Sequence, residues 1–341
     1  MPGTRLPWEQ LPAALRAAAE ERLGGAVAGA VTQPGGFSPG AAARLVLDNG
    51  RRAFAKAVGH GLNPDSPGIY RAEAAIAAAL PPAVPAPQFL GMIESGGWVL
   101  LLFEDVDGAM PAQPWQPAEL ARVLAAMTDL AAALTPAPLP APAVADRLGD
   151  SFTGWRRLAA ERDPSRARPG GASWARGNQA GGNQAGGNQA GASPEQPALD
   201  PWARAHLDGL AGLESGWADA ARGASLVHSD LRADNILLTA QRVVFVDWPW
   251  ACQAAPWLDL VLMLPSVALA GGPPPGEILA AHPVSRDADP AAVTAVVAAL
   301  AGYLVYQSRQ PDPPGIPALR AFQAAQGAVA LDWVRARTGW R

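Results

Sequence analysis

The chain has 341 residues, 49% of them apolar and 16% charged, with a formal net charge of −4 at pH 7. That length suits one large domain or two lobes with a sizeable core, the apolar share excludes a disordered chain, and the charge excludes the basic field of a dedicated nucleic-acid binder. A single cysteine, Cys252, excludes an intrachain disulfide framework and a cysteine-rich zinc site. Arginine almost wholly replaces lysine, and the one lysine is Lys56. No basic stretch followed by an apolar run marks a secretory signal at the start. The longest apolar runs, 261–271 and 291–305, read as buried helices too short for ordinary membrane spans. A cytoplasmic location is expected, with no membrane and no nucleic acid as partner.

Taken in order, residues 8–23 carry Trp8, Leu11 and Leu15 at helical spacing and end at Gly24-Gly25. Residues 26–33 read as a strand and 34–40 as a glycine loop. Two more strands, 43–48 and 51–58, flank Asn49-Gly50, the pair that suits a type I′ hairpin turn. Alternation on the second of them puts Phe54, Lys56 and Val58 on one face. A helix over 67–80 follows, with Ser66 as N-cap, Pro67 at its first position and Glu73 inside it. Strands at 87–93 and 98–103 pair around residues 94–97, and 104–108 leave as a connector.

Beyond residue 117 the periodicity turns helical, at 119–134, 146–161, 201–221, 256–270, 290–307 and 317–337. The stretch 163–197 repeats Gly-Asn-Gln-Ala-Gly three times and has too little apolar side chain to repay ordering, so a disordered surface loop is expected. Strands followed by helices give an α+β class. The expected division is a sheet-bearing lobe over 1–105 and a helical lobe over 106–341, with the insert at 163–198 inside it.

The chemistry concentrates at 226–248. His228, Asp230 and Asn235 precede a valine-rich run that ends in Asp247, with five residues from Asp230 to Asn235 and twelve from there to Asp247. Hard oxygen ligands on a rigid support suit a magnesium–phosphate site, and a carboxylate nearby suits a base for an attacking hydroxyl.

On these residues the chain resembles the aminoglycoside phosphotransferase/choline kinase-type family of small-molecule kinases, relatives of the protein kinases. His228-Ser-Asp230 followed by Asn235 matches the family's His-x-Asp-x-x-x-x-Asn loop, and Val246-Asp247-Trp248 matches its Ile/Val-Asp-aromatic element. The resemblance covers the chain from about residue 24 onward, the repeat insert excepted. It implies a bilobal protein-kinase-like fold, with a small antiparallel sheet lobe and a larger helical lobe. It implies ATP and Mg2+ as cofactors and the hydroxyl of a small molecule as acceptor. Asp230 would orient or accept the hydroxyl proton, and Asn235 and Asp247 would hold the metal. Lys56 would reach the nucleotide phosphates while paired to Glu73.

The glycine loop, with Gly35 and Gly36, would cover the phosphates with backbone amides. Connector residues Phe103, Glu104, Asp105 and Val106 would meet the adenine edge through their backbone. Phe54 reads either as an adenine-stacking ring or as a core residue of the sheet. Arg232 reads either as a group near the transferring phosphate or as a solvated or paired loop arginine. His228 is expected to be scaffold, and Asp259 to hold the loop by accepting backbone hydrogen bonds. Only eleven residues separate Asp247 from Asp259, too few for a protein kinase's activation segment, so protein acceptors are not expected. Nothing selects among an antibiotic, an amino alcohol and a sugar-like acceptor, nor fixes the oligomeric state. The competing reading is a catalytically silent nucleotide-binding module that acts through partners.

Overall fold

The computed structural model describes residues 5–33, 40–162, 198–312 and 318–341. The chain divides into two units, Met1–Ala112 with Arg232–Ala251 and Gln113–Leu231 with Cys252–Arg341. The division is discontinuous, where the order of elements suggests a single boundary after residue 105. The glycine loop at 34–39, with Gly35 and Gly36, lies outside the described residues, as do the repeat insert at 163–197 and residues 313–317.

The first unit opens on a 3-10 turn, Trp8–Gln10, and helix α1, Ala13–Leu23. One continuous helix over 8–23 is not what forms. Pro12 disfavours the helical conformation in the residue before it, and Leu11 is extended at φ −68° and ψ 151°. Strands β1 (Val27–Thr32), β2 (Ala41–Leu47), β3 (Arg52–Gly59), β4 (Phe89–Ser95) and β5 (Trp98–Glu104) then build one antiparallel sheet in the order β1-β2-β3-β5-β4. Helix α2, Ser66–Ala79, lies between β3 and β4 in sequence. Its N-cap residue is Asp65 rather than Ser66. The side-chain oxygen of Asn63 accepts the Asp65 and Ser66 amides, each at 2.9 Å, and the Gly68 amide donates to the Asp65 carbonyl at 3.1 Å, so the first-turn donors are met without the Ser66 side chain.

The sheet has two different faces because the strand period is two. Ala53, Ala55 and Ala57 face α1, where Leu11, Leu15 and Leu23 pack with Leu45, Leu100 and Leu102. Phe54, Lys56 and Val58 face the other way, and Tyr70 and Ala74 of α2 pack there with Val58, Val99, Leu101 and Phe103. The hairpin turns differ from expectation. At 48–50 only Gly50 has positive φ (79°), and the Gly50 amide donates to the Leu47 carbonyl at 2.9 Å. That is a turn closed by a left-handed glycine, not type I′. Positive φ at two adjacent positions occurs instead at Gly96 and Gly97, 56° and 78°, between β4 and β5.

The later strands are three residues each: β6 (Ser225–Val227), β7 (Ile236–Leu238), β8 (Val243–Phe245) and β9 (Cys252–Ala254). β7 and β8 form an antiparallel hairpin that belongs to the first unit, while β6 pairs with β9 in the second.

The rest of the second unit is helical. It holds α3 (Pro117–Ala133), α4 (Val144–Leu148), α5 (Gly154–Arg162), α6 (Pro201–Ala205), α7 (Leu207–Ser215), α8 (Trp217–Ala220), α9 (Leu258–Leu269), α10 (Pro275–Ala281), α11 (Pro290–Ser308) and α12 (Leu319–Thr338). The helices expected over 146–161 and 201–221 are broken, the second at His206 and Gly216, and α10 is an addition that a glycine–proline run hides in the sequence. At 19 residues α11 is long and apolar enough to cross a bilayer by length and composition, contrary to the expectation of too short a run, and half of that stretch is buried. It packs against α5, α7, α8 and α12, with Val293, Val296, Val297 and Leu304 in the core.

Candidate active site

Lys56 sits mid-strand in β3, and α2 places Glu73 one turn from Tyr70 on the side that meets it. The Lys56 Nζ lies 2.6 Å from a Glu73 oxygen, 2.7 Å from Asp247 Oδ1 and 5.0 Å from the centre of the Tyr70 ring. The Lys56 side chain is 14% exposed and that of Glu73 3%. Burial alone disfavours an ammonium, but Asp247 and Glu73 outweigh it, and the Lys56 pKa is raised above its ordinary value. Burial pushes the Glu73 carboxyl up to about 7 against the pull of Lys56, with Asp247 adding to the push.

A carboxyl whose folded pKa exceeds its ordinary 4.5 takes up a proton on folding. Its contribution to stability is therefore complete below 4.5 and lost as pH rises through 7. Between pH 5 and 8 the protein should lose on the order of 2–3 kcal/mol relative to Glu73→Gln. Urea melts of the two proteins across that range check this, and parallel pH profiles would contradict it.

The β7–β8 hairpin positions the candidate metal ligands. Asn235 directly precedes β7, Asp247 stands two residues after β8 ends at Phe245, and the Val246 amide donates to the Asn235 carbonyl at 3.0 Å. The open end of the hairpin therefore carries both residues side by side. Asp247 has φ 70°, a left-handed conformation that aspartate tolerates better than most residues and that is frequent at functional sites. Arg232 pairs with Asp234 through two hydrogen bonds, 3.1 and 3.0 Å. One carboxylate and one amide oxygen are too few to cage a metal. They suit Mg2+, which binds one or two protein oxygens together with substrate phosphates and water.

Phe103 and Glu104, expected in the connector, are the last residues of β5, and the connector begins at Asp105. The Phe103 ring meets Phe89 edge-on at 5.4 Å and pairs in register with half-buried Phe54. The Glu104 amide donates to the Gln88 carbonyl at 2.9 Å, and its carboxylate pairs with Arg242. The Asp105 carboxylate is held by Arg44 and Arg52.

In the second unit, the loop after β6 carries His228, Ser229 and Asp230. Asp259, at the start of α9, accepts the His228 amide at 2.8 Å and the Ser229 amide at 2.7 Å on its two oxygens. Ser229 has φ 68°. Buried His228 accepts the Asp230 amide on Nδ1 at 3.3 Å, a scaffold role. Asp259→Ala would leave two amides without their acceptor and release a left-handed residue. It should lower stability by about 2–4 kcal/mol, read from the denaturant midpoint; a loss under about 1 kcal/mol would contradict the assignment. Cys252 is buried and burial pushes its thiol up to about 11, so it offers no nucleophile.

The model of the phosphotransferase enzyme family matches residues 36–296. The chain belongs to the phosphotransferase enzyme family. Solved structures with the same fold include a thermostable mutant of aminoglycoside phosphotransferase APH(4)-Ia in ternary complex with ADP and hygromycin B. It is 14% identical, with 95% of this chain and 97% of that one covered at a TM-score of 0.57. Choline kinase LicA from Streptococcus pneumoniae is 14% identical over 94% and 98%, with a TM-score of 0.58. A putative fructosamine-3-kinase from Haemophilus somnus 129PT is 12% identical over 92% and 96%, with a TM-score of 0.52. No curated protein sequence matches the chain. The fold is that of the protein-kinase-like small-molecule kinases.

Two residues of this phosphotransferase's lysine-bearing face escape a reading by motif. Tyr70 stands three before Glu73, so helical spacing alone puts the two on one side of α2. Arg44 stands directly across from Phe54 in β2, a register that follows from the position of the 48–50 turn. Val31, 62% exposed, pairs with Arg44 at the sheet's edge on the same face.

Proposed function

We propose that this chain is an ATP-dependent, magnesium-requiring phosphotransferase that moves the γ-phosphate to a hydroxyl of a small molecule. The observation that carries the proposal is the single lysine held between a buried glutamate and the aspartate at the open end of the β7–β8 hairpin. Phosphoryl transfer needs little covalent chemistry from the protein, so catalysis is positioning and charge neutralisation.

In this reading Lys56 contacts the α- and β-phosphates, and Glu73 and Tyr70 hold its ammonium in place. Asn235 and Asp247 hold Mg2+, which supplies the charge that neutralises the phosphates. Phe103–Val106 offer backbone groups to the adenine edge, with Phe54 beneath the base. Asp230, fixed through the loop that Asp259 ties down, orients the acceptor hydroxyl and takes its proton. Arg232, its guanidinium oriented by Asp234, adds positive charge on the phosphate side.

The acceptor class is an antibiotic, an amino alcohol or a sugar-like compound. The silent nucleotide-binding module is disfavoured by completeness, because such modules lose the lysine, the base or a metal ligand, and Lys56, Asp230, Asn235 and Asp247 are all present. Mg-ATP should raise the melting temperature of the wild type, and Lys56→Ala should remove most of that rise. An undiminished shift in Lys56→Ala would show that the nucleotide binds elsewhere.

A further inference from the structure

Beside the lysine-bearing face lies a charge cluster to which phosphoryl transfer itself assigns nothing. Arg44 projects from β2 on the face that carries Phe54 and Lys56. Its guanidinium donates to the Val106 and Gly108 carbonyls, each at 3.1 Å. It also lies 3.3 Å from Asp105 Oδ1 and 3.9 Å from Asp107. Arg52, on β3, donates from Nε to the other Asp105 oxygen at 2.7 Å, and its Nη2 lies 2.6 Å from the same atom. The Asp105 side chain is 1% exposed between the two guanidiniums.

A carboxylate that deeply buried persists only while its partners stay in place, and the rigid fork of a guanidinium holds several acceptors in one fixed arrangement. The backbone at Val106 and Gly108 and the side chain of Asp105 are therefore pinned to β2 and β3 at three points within four residues. Arg44 also settles what Val106 presents. The Val106 carbonyl is taken by Arg44 and by the Gly108 amide at 2.9 Å, which leaves recognition at this residue to its amide.

We infer that Arg44, with Arg52 as its counterpart on Asp105, is a positioning residue for nucleotide recognition: it sets the connector backbone so that the base is gripped, while acting only through Asp105, Val106 and Gly108. This rests on the phosphotransferase reading and deepens it. Its distinguishing consequence is that the effect belongs to the base and not to the phosphates, which Lys56 and Asp247 serve.

The test is calorimetric titration of the full chain with Mg-ATP and with Mg-tripolyphosphate, which has the phosphates and no base, for wild type, Arg44→Ala, Arg44→Lys and Lys56→Ala. Arg44→Ala should weaken ATP binding roughly tenfold and leave tripolyphosphate within about twofold of wild type. Arg44→Lys should recover only part of the loss, because one ammonium does not reach two carbonyls and a carboxylate together. Lys56→Ala should weaken both ligands. Unchanged ATP affinity in Arg44→Ala would overturn the inference while sparing the function, and so would an equal loss for both ligands, the mark of a loosened sheet. If Arg44→Ala fails to fold, Asp105→Asn carries the same expectations. A wild type that binds neither ligand overturns the function and this inference with it.

Discussion

Asp247→Asn should reduce the affinity for Mg-ATP by roughly a hundredfold and abolish most of its dependence on magnesium. Asparagine accepts the left-handed conformation at this position as aspartate does, so the hairpin keeps its shape and the lost charge is what is measured. Asp247 pairs with Lys56, and in the proposed function it also takes the metal. Its Oδ1 lies 2.7 Å from Lys56 Nζ, and its side chain is 43% exposed, against 3% for Glu73. The exposed member of the pair is the one available to an incoming metal, while Glu73 stays with the lysine. Titrations with ATP, with and without magnesium, read the effect. Equal affinities for wild type and variant in magnesium would remove Asp247 from the metal site.

Asp230→Asn has the opposite profile. Nucleotide affinity should remain near that of the wild type, because Lys56, Asn235 and Asp247 are untouched, while turnover falls roughly 10²- to 10⁴-fold, the range for a positioned general base. Asp259 accepts the His228 and Ser229 amides and His228 accepts the Asp230 amide, backbone contacts that the substitution does not remove. Loss of nucleotide binding together with turnover would mean that Asp230 holds metal or structure instead.

The placement of the candidate site residues was legible where spacing is tied to local geometry. Asn235 and Asp247 flank the open end of a short hairpin, and Lys56 shares a face with Phe54 by simple alternation along β3. The contacts of Asp259 to the His228 and Ser229 amides are those the family resemblance implied. What was not legible depends on contacts remote in sequence or on single backbone angles. Pro12 divides a helix that apolar periodicity alone would continue, and Asn49-Gly50 makes a turn with one left-handed residue instead of two. The segment 232–251 belongs with the sheet although it follows more than a hundred residues of helical sequence. The arginines around Asp105 come from two strands and meet at a connector whose own sequence carries no motif. No spacing rule reaches across those strands until the register is known, and the register was displaced by the turn.

The central claim is the transfer of a γ-phosphate to a small-molecule hydroxyl. It is tested most directly by incubating the full chain with Mg-ATP and a panel of aminoglycosides, macrolides, choline, amino alcohols and sugars, with Asp230→Asn as the blank. ADP release and the mass of each acceptor are followed together. The account predicts ADP release matched by the gain of one phosphoryl group on at least one hydroxyl compound, absent with Asp230→Asn. Firm Mg-ATP binding with no phosphorylated acceptor anywhere in the panel would contradict it and favour the silent module.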